Sequence, residues 1–374
     1  MARRLEPPFR ADHVGSLLRP AALLEAREQA ARGELDAAGL RAAEDVAVRD
    51  AVALQSETGL QTVTDGEFRR STWHMDFIYR LAGVSRAQET LHVTFHNEAG
   101  DLDWAPAALK VDGRIGLRET IFGDDFTFLR DAAEGTGTTP KLTIPSPSMV
   151  HYRGGRAALD PAVYPDEGEF WDDLSRAYAA ELAGLGELGC THVQLDDTSL
   201  AYLNDPAQRE ALQGQGRDAA HQHERYVRQM NAAIADRPAS MRVTTHLCRG
   251  NFRSSWVASG GYDFVAEVLF GELAVDGYFL EFDDERSGGF EPLRFVPPGK
   301  TVVLGLVTTK RGALEDKDAL KRRIDEAARY VPLEQLCLSP QCGFSSTVEG
   351  NSLTAEEQRA KLRLVVETAA EVWG

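Results

Sequence analysis

The chain has 374 residues, is 43% hydrophobic and 26% charged, and carries a net charge of −17. That size and composition support a large packed core and exclude a disordered chain, while the negative balance argues against nucleic acid or an anionic membrane as a partner. No apolar run is long enough to span a bilayer, and four cysteines are too few for a disulfide framework, which fits a reducing cytoplasm with some thiols reserved for metal.

The opening MARRLEPPFRADH has two early arginines but no apolar run behind them, so it does not read as a signal peptide. A βα rhythm then sets in. Strand-like runs are predicted at ADHVGS (11–16), LQTVTD (60–65), KLTIPSP (141–147), THVQLDD (191–197), RVTTHLC (242–248), GYFLEFD (277–283), TVVLGLV (301–307) and QLCLSPQC (335–342). Helical spacing of three or four links Phe170, Leu174, Tyr178, Leu182 and Leu185, then Val227, Met230 and Ile234, then Leu320, Ile324, Ala328 and Val331. Thr354 and Glu357 are spaced as a capping box that opens a last helix running to about Trp373.

Eight strands with intervening helices predict an α/β fold, a single (β/α)8 TIM barrel forming one catalytic domain over 1–374. The stretch 82–138 breaks the rhythm with alternating pieces such as LHVTFHN and LKVDGRIG, and is expected to be an insertion on the barrel rim. An open doubly wound sheet would need a Gly-rich phosphate turn after its first strand, and HVGSLLRP is not one.

The polar motifs fall at the C-terminal ends of these strands, the face on which barrel enzymes build active sites. His246, Cys248, Glu281 and Cys342 lie at the ends of three separate runs. His-x-Cys on a strand puts both side chains on one face, and with a Glu and a second Cys makes a ligand set suited to Zn²⁺. A closed structural site would favour short Cys-x-x-Cys knuckles, which are missing. Cys190 and Cys337 read as small buried hydrophobes. Thiolate-rich zinc is a poor source of hydroxide but binds another thiol well, which points to thiol alkylation, with metal-assisted hydrolysis as the runner-up.

In VTDGEFRRSTWHMDF (63–77), Asp65 and Glu67 share a parity and are candidates to hold an ammonium group or to handle protons. Arg69 or Arg70 could hold a carboxylate, and Trp73 and His74 could wall the cleft or supply a proton. Asp196 shares a face with Gln194 and is a better pocket candidate than Asp197. Gly15 and Ser16 offer donors to a carboxylate, with His13 an unassigned neighbour, while His221 and His223 read as solvated helix surface.

Together HVGS, DGEFRR, QLDDTSL, HLCRGNF, FLEFDD and LSPQCGF resemble the catalytic C-terminal half of cobalamin-independent methionine synthase, over essentially the whole chain. The similarity is closer to the short, single-barrel branch of methionine synthase II-like proteins, which also includes epoxyalkyl-coenzyme M transferase. The resemblance implies that His246, Cys248, Glu281 and Cys342 bind zinc, that Glu67 and Asp196 hold the amino-acid end of homocysteine, and that Ser16 contacts its carboxylate. The N-terminal half of the long enzyme has no match here, the pterin-stacking tryptophan has no counterpart in KLTIPSPSMVHYRGG, and the proton-donating histidine falls near Val307, leaving His74 as a stand-in. The expected activity is therefore a cytoplasmic, zinc-dependent methyl transfer from methyl-tetrahydrofolate or a related donor to homocysteine. The alternatives are another zinc thiol alkyltransferase or lyase, which could clamp a sulfonate thiol through Arg69, Arg70 or Arg249, and a metal-storing or ligand-binding barrel without catalysis. The sequence leaves open the donor, the exact thiol, the proton source and whether the chain forms a homo-oligomer.

Overall fold

A computed structural model describes residues 5–90, 93–97, 100–104 and 107–374. The early arginines and the first two residues of LHVTFHN lie outside the described residues. Six strands form one parallel ladder, Leu142–Pro145, His192–Asp197, Arg242–Leu247, Gly277–Glu281, Thr301–Val307 and Leu336–Pro340, each beside the next. Their near-continuous apolar runs suit burial on both faces, and every residue of Thr301–Val307 is buried. At one edge Thr139–Pro140 pairs parallel with Thr62–Val63, and at the other Ala11 bridges to Leu338.

The two edges meet without a ladder. Thr62 Oγ1 donates to Asp12 Oδ2 (3.1 Å), Thr64 Oγ1 to the Gly15 carbonyl (2.6 Å), and the Leu17 N–H to the Gly66 carbonyl (3.1 Å). The ring of eight parallel segments is an α/β (β/α)8 TIM barrel. The first predicted strand, 11–16, is only a single bridge, because the chain bends inward at Gly15 (φ 151°), where a Cβ would fall 2.7 Å from Thr143.

Inside the barrel, Val14, Phe279, Val303 and Cys337 form a small apolar cluster. Beside it Lys141 is fully buried, paired with Asp12 at 3.1 Å and donating to Gln194 Oε1 at 3.2 Å and to the His13 carbonyl. Outside, the predicted stripes turn inward. Phe170, Leu174, Tyr178, Leu182 and Leu185 are buried on Glu167–Glu187, and Val227, Met230 and Ile234 on Gln222–Ile234. Leu320 and Ile324 are buried on Lys317–Ala327, Ala328 caps that helix, and Thr354 and Glu357 form the capping box of Ala355–Trp373.

The rim insertion is shorter than expected. It is a two-tier antiparallel arm, Ala82–Thr90 with Ala107–Gly116, and beyond it Val93–Asn97 with Gly100–Trp104. Gly123–Ala133, expected within the insertion, packs instead against Ala37–Thr58 and Glu167–Glu187 in the ring of barrel helices. Its inward stripe is brief (Phe126, Leu129 and Ala133), so its periodicity is faint in the sequence.

Candidate metal centre and substrate pocket

Parallel pairing carries His246 and Cys248 to the barrel mouth, the Cys248 N–H continuing the ladder to the Asp197 carbonyl at 2.8 Å. Glu281 ends the next strand, and Cys342 follows the last one by two residues. All four side chains are buried, and one donor atom from each lies within 4.8 Å of all the others. A tetrahedral ion with bonds of about 2.0–2.3 Å needs donors about 3.3–3.8 Å apart, so slight contraction closes the site. Neither ring nitrogen of His246 has a hydrogen-bond partner, which suits an imidazole awaiting a ligand.

The sulfurs of Cys248 and Cys342 are 3.4 Å apart and unbonded. The Cys248 thiol, donating to Cys342, holds Cys342 well below the usual thiol range although burial opposes this, and His246 adds to the effect. The same contact, with burial, pushes Cys248 up. Glu281 is oriented by the Arg249 N–H on Oε1 (3.1 Å), and its own N–H donates to the Tyr262 hydroxyl (2.8 Å).

One pocket opens onto this centre, and Ser16, Glu67, Trp73, His74 and Asp196 line it. Glu67 sits in a left-handed turn (φ 60°) behind Gly66 (φ 66°), a strained conformation for a non-glycine residue. Its Oε1 accepts from Thr143 Oγ1 (2.8 Å), and its Oε2 has no partner. Burial raises the Glu67 carboxyl despite Arg70 and Thr143. Asp196 accepts from Gln194 Nε2 (2.6 Å) and is pushed up to about 7 by burial, with His246 pulling the other way and Glu67 adding to the rise. Asp197 faces the opposite side, accepting from Ser146, Ser148 and the Leu200 N–H. Ser16 Oγ accepts from the Ser345 N–H at 3.3 Å, and a Cβ at Gly343 would fall 2.0 Å from it.

Other expected residues lie elsewhere. Arg69 does not reach the pocket; it pairs with Glu44 (3.3 Å), Asp45 (2.7 Å) and Asp125 (3.3 Å) between two outer helices, carried outward by the turn at Glu67. Arg70 is spent on the Thr143 carbonyl (2.8 Å) and hydroxyl, over the Phe122 ring. Arg249 is spent on the carbonyls of Gly260 and Glu281 and on Tyr262. Asp65 does not line the pocket; its Oδ1 holds the Glu67 N–H at 2.9 Å. His74, by contrast, is in the pocket, stacked on Trp73 (4.4 Å between centroids), and burial, with Arg153, pulls its imidazole down to about 3. His221 is exposed, whereas His223 is buried against Phe264.

Sequence reasoning missed the pocket's outer wall. Phe95 and Trp104 of the rim arm reach into it beside Phe252, with Trp104 and Phe252 stacked at 5.1 Å. The arm is pinned there by reciprocal backbone bonds between His96 and Trp256 (2.6 and 2.9 Å). The alternation in LHVTFHN signalled a face needing cover, but not what it covers. Arg153 and Asn251 also line the pocket, and Arg153 Nε, Asn251 Oδ1 and His74 Nδ1 are buried without partners.

The family model for "Cobalamin-independent synthase, Catalytic domain" matches residues 153–371. The uncharacterized protein YxjH of Bacillus subtilis is 46% identical over 372 residues, covering 99% of this chain and 96% of its own. A crystal structure of a candidate vitamin-B12-independent methionine synthase from Listeria monocytogenes matches with a TM-score of 0.79 at 39% identity, over 99% of this chain and 100% of that one. A B12-independent methionine synthase from Shewanella, solved with selenomethionine, matches with a TM-score of 0.71 over 97% of each chain; at 19% identity this speaks to the fold alone.

Proposed function

The chain belongs to the cobalamin-independent methionine synthase family, a family of methyltransferases, and on that premise we propose that it is a zinc-dependent enzyme transferring a methyl group to homocysteine to give methionine. Methyl-tetrahydrofolate or a related carrier is the proposed donor. The observation that carries this reading is the convergence of two sulfurs, an imidazole and a carboxylate on the pocket that Glu67 and Asp196 also face. His246, Cys248, Glu281 and Cys342 would hold the metal. Zinc there would supply a Lewis acid that keeps an incoming thiol as thiolate near neutral pH.

The chain's own groups then position the substrate. Glu67 and Asp196, both acceptors, suit the ammonium of an amino acid. Ser16 suits its carboxylate. Trp73, Phe95, Trp104 and Phe252 wall the pocket and limit water around the methyl carbon. Transfer forms the S–C bond as the bond from carrier to methyl breaks; the carrier keeps that electron pair and takes up one proton, balancing the proton that the thiol gives up. A sulfonate-bearing thiol is the second reading: Arg69, Arg70 and Arg249 are engaged elsewhere and two carboxylates face the ligand, but Arg153 lines the pocket with its Nε unpartnered and could clamp an anion.

Metal analysis with X-ray absorption, with and without homocysteine, tests the proposal. One additional sulfur neighbour at zinc is expected on adding homocysteine. An unchanged sulfur count would reject the thiol-acceptor role, and no methionine from any of a panel of methyl donors would reject the transfer.

A further inference from the structure

Beyond the loop that carries Arg153 lies a second cleft of about 400 Å³. Its lining reverses the charge of the chain, with Arg156, Arg217, Arg225 and Arg228 set against Glu167 and Asp218. Both carboxylates are already taken. Glu167 pairs with His151 (3.2 Å) and Arg225 (2.9 Å), and Asp218 with His221 (3.0 Å).

The guanidinium groups are held in place. Arg217 donates to the Tyr152 carbonyl (2.6 Å) and the Tyr226 hydroxyl (3.2 Å), and Arg156 to the carbonyls of Leu159 (3.1 Å) and Tyr164 (2.7 Å). Arg228 is exposed and has no partner among the described residues. Two further donor sets converge here. The helix Gln222–Ile234 begins at the cleft; its N-cap, His221, supplies no side-chain cap, and Asp218 accepts the His221 N–H (3.3 Å) but no N–H of the first turn beyond it. Gln222 is 5% exposed, and its amide Nε2 has no hydrogen-bond partner. With Arg225 matched by Glu167, the positive excess of the cleft rests on Arg156, Arg217 and Arg228, and beside a buried amide donor without an acceptor and a helix N-terminus it is the complement of an anion.

We propose that this cleft binds a small multivalent oxyanion, a phosphate or a polycarboxylate, at a site separate from the metal centre. The proposal does not depend on the reading of that centre. Calorimetric titration of the metal-loaded chain with inorganic phosphate, and separately with tricarballylate, tests it and distinguishes the two sources. Saturable binding of at least one is expected, weakened about tenfold by Arg228→Glu or Gln222→Leu, as loss of one charge-assisted or buried hydrogen bond implies. Arg228 is on the surface, so its variant folds if Gln222→Leu does not. No saturable binding of either anion up to about 10 mM, well above the range of a built arginine site, or binding that both variants leave unchanged, overturns the proposal.

Discussion

Glu67 shows how a single residue depends on its backbone. Its φ of 60° turns the side chain toward the pocket, and the same turn sends Arg69 outward to three carboxylates. Parity made Asp196 legible on an extended strand but misled at Asp65, which it paired with Glu67 and which lies outside the pocket, since alternation holds only while the strand stays extended. His246 and Cys248 were legible for the complementary reason, lying on a straight strand and at its end. Arg153 sits in a loop with no period to read. Glu67→Gln keeps the shape and the bond to Thr143 while removing the charge. It should raise KM for the amino-acid thiol about 10- to 100-fold, the range for hydrogen bonds to charged groups, with zinc content unchanged by metal analysis. A change in metal content with normal KM would contradict the assigned role.

Among the elements, the rim arm and the helix after it were the hardest to read. The arm's alternation was visible, but its aromatic residues meet Phe252, which is far away in sequence. Trp104→Ala should raise KM for the methyl donor about tenfold, a typical loss for one aromatic contact, while the sulfur neighbour gained with homocysteine persists. Gly123–Ala133 is tied to the ring by Glu181, which accepts from the N–H groups of Ile121 (2.7 Å) and Phe122 (3.4 Å) just ahead of it. Burial pushes that carboxyl from its ordinary 4.5 up to about 7, against those two donors. The native state thus holds a proton that the unfolded chain releases. Stability from this group is fully present below about pH 4.5 and is lost as pH rises to about 7, by about 3 kcal/mol in all. Urea unfolding at pH 5 and pH 8 should show this decline, and Glu181→Gln should flatten it; an equal slope in the variant would refute the assignment.

At the scale of the whole molecule, the alternation of strand and helix announced the barrel, because burial on both faces writes itself into long apolar runs. The seam could not be foreseen, since it depends on side chains. Asp12 clasps it, accepting from Thr62 across the gap and from Lys141 of the next segment, with both Asp12 and Lys141 fully buried. Lys141→Met leaves that carboxylate without its counter-charge and should destabilise the fold by about 3–5 kcal/mol, read as a lowered urea midpoint. A variant as stable as the parent would mean that the pair adds nothing to closure. No helix among the described residues is long and apolar enough to cross a membrane.

Two sulfurs held 3.4 Å apart, the Cys342 thiol kept well below its usual range by its neighbour, make a hazard whenever the metal is missing. Air or peroxide would then couple them, because a thiolate facing a neighbouring thiol is the starting point of that chemistry. Material stored aerobically after chelation would lose two titratable thiols and recover only with a reductant followed by metal, so the ion would serve as a guard against oxidation as well as a reagent.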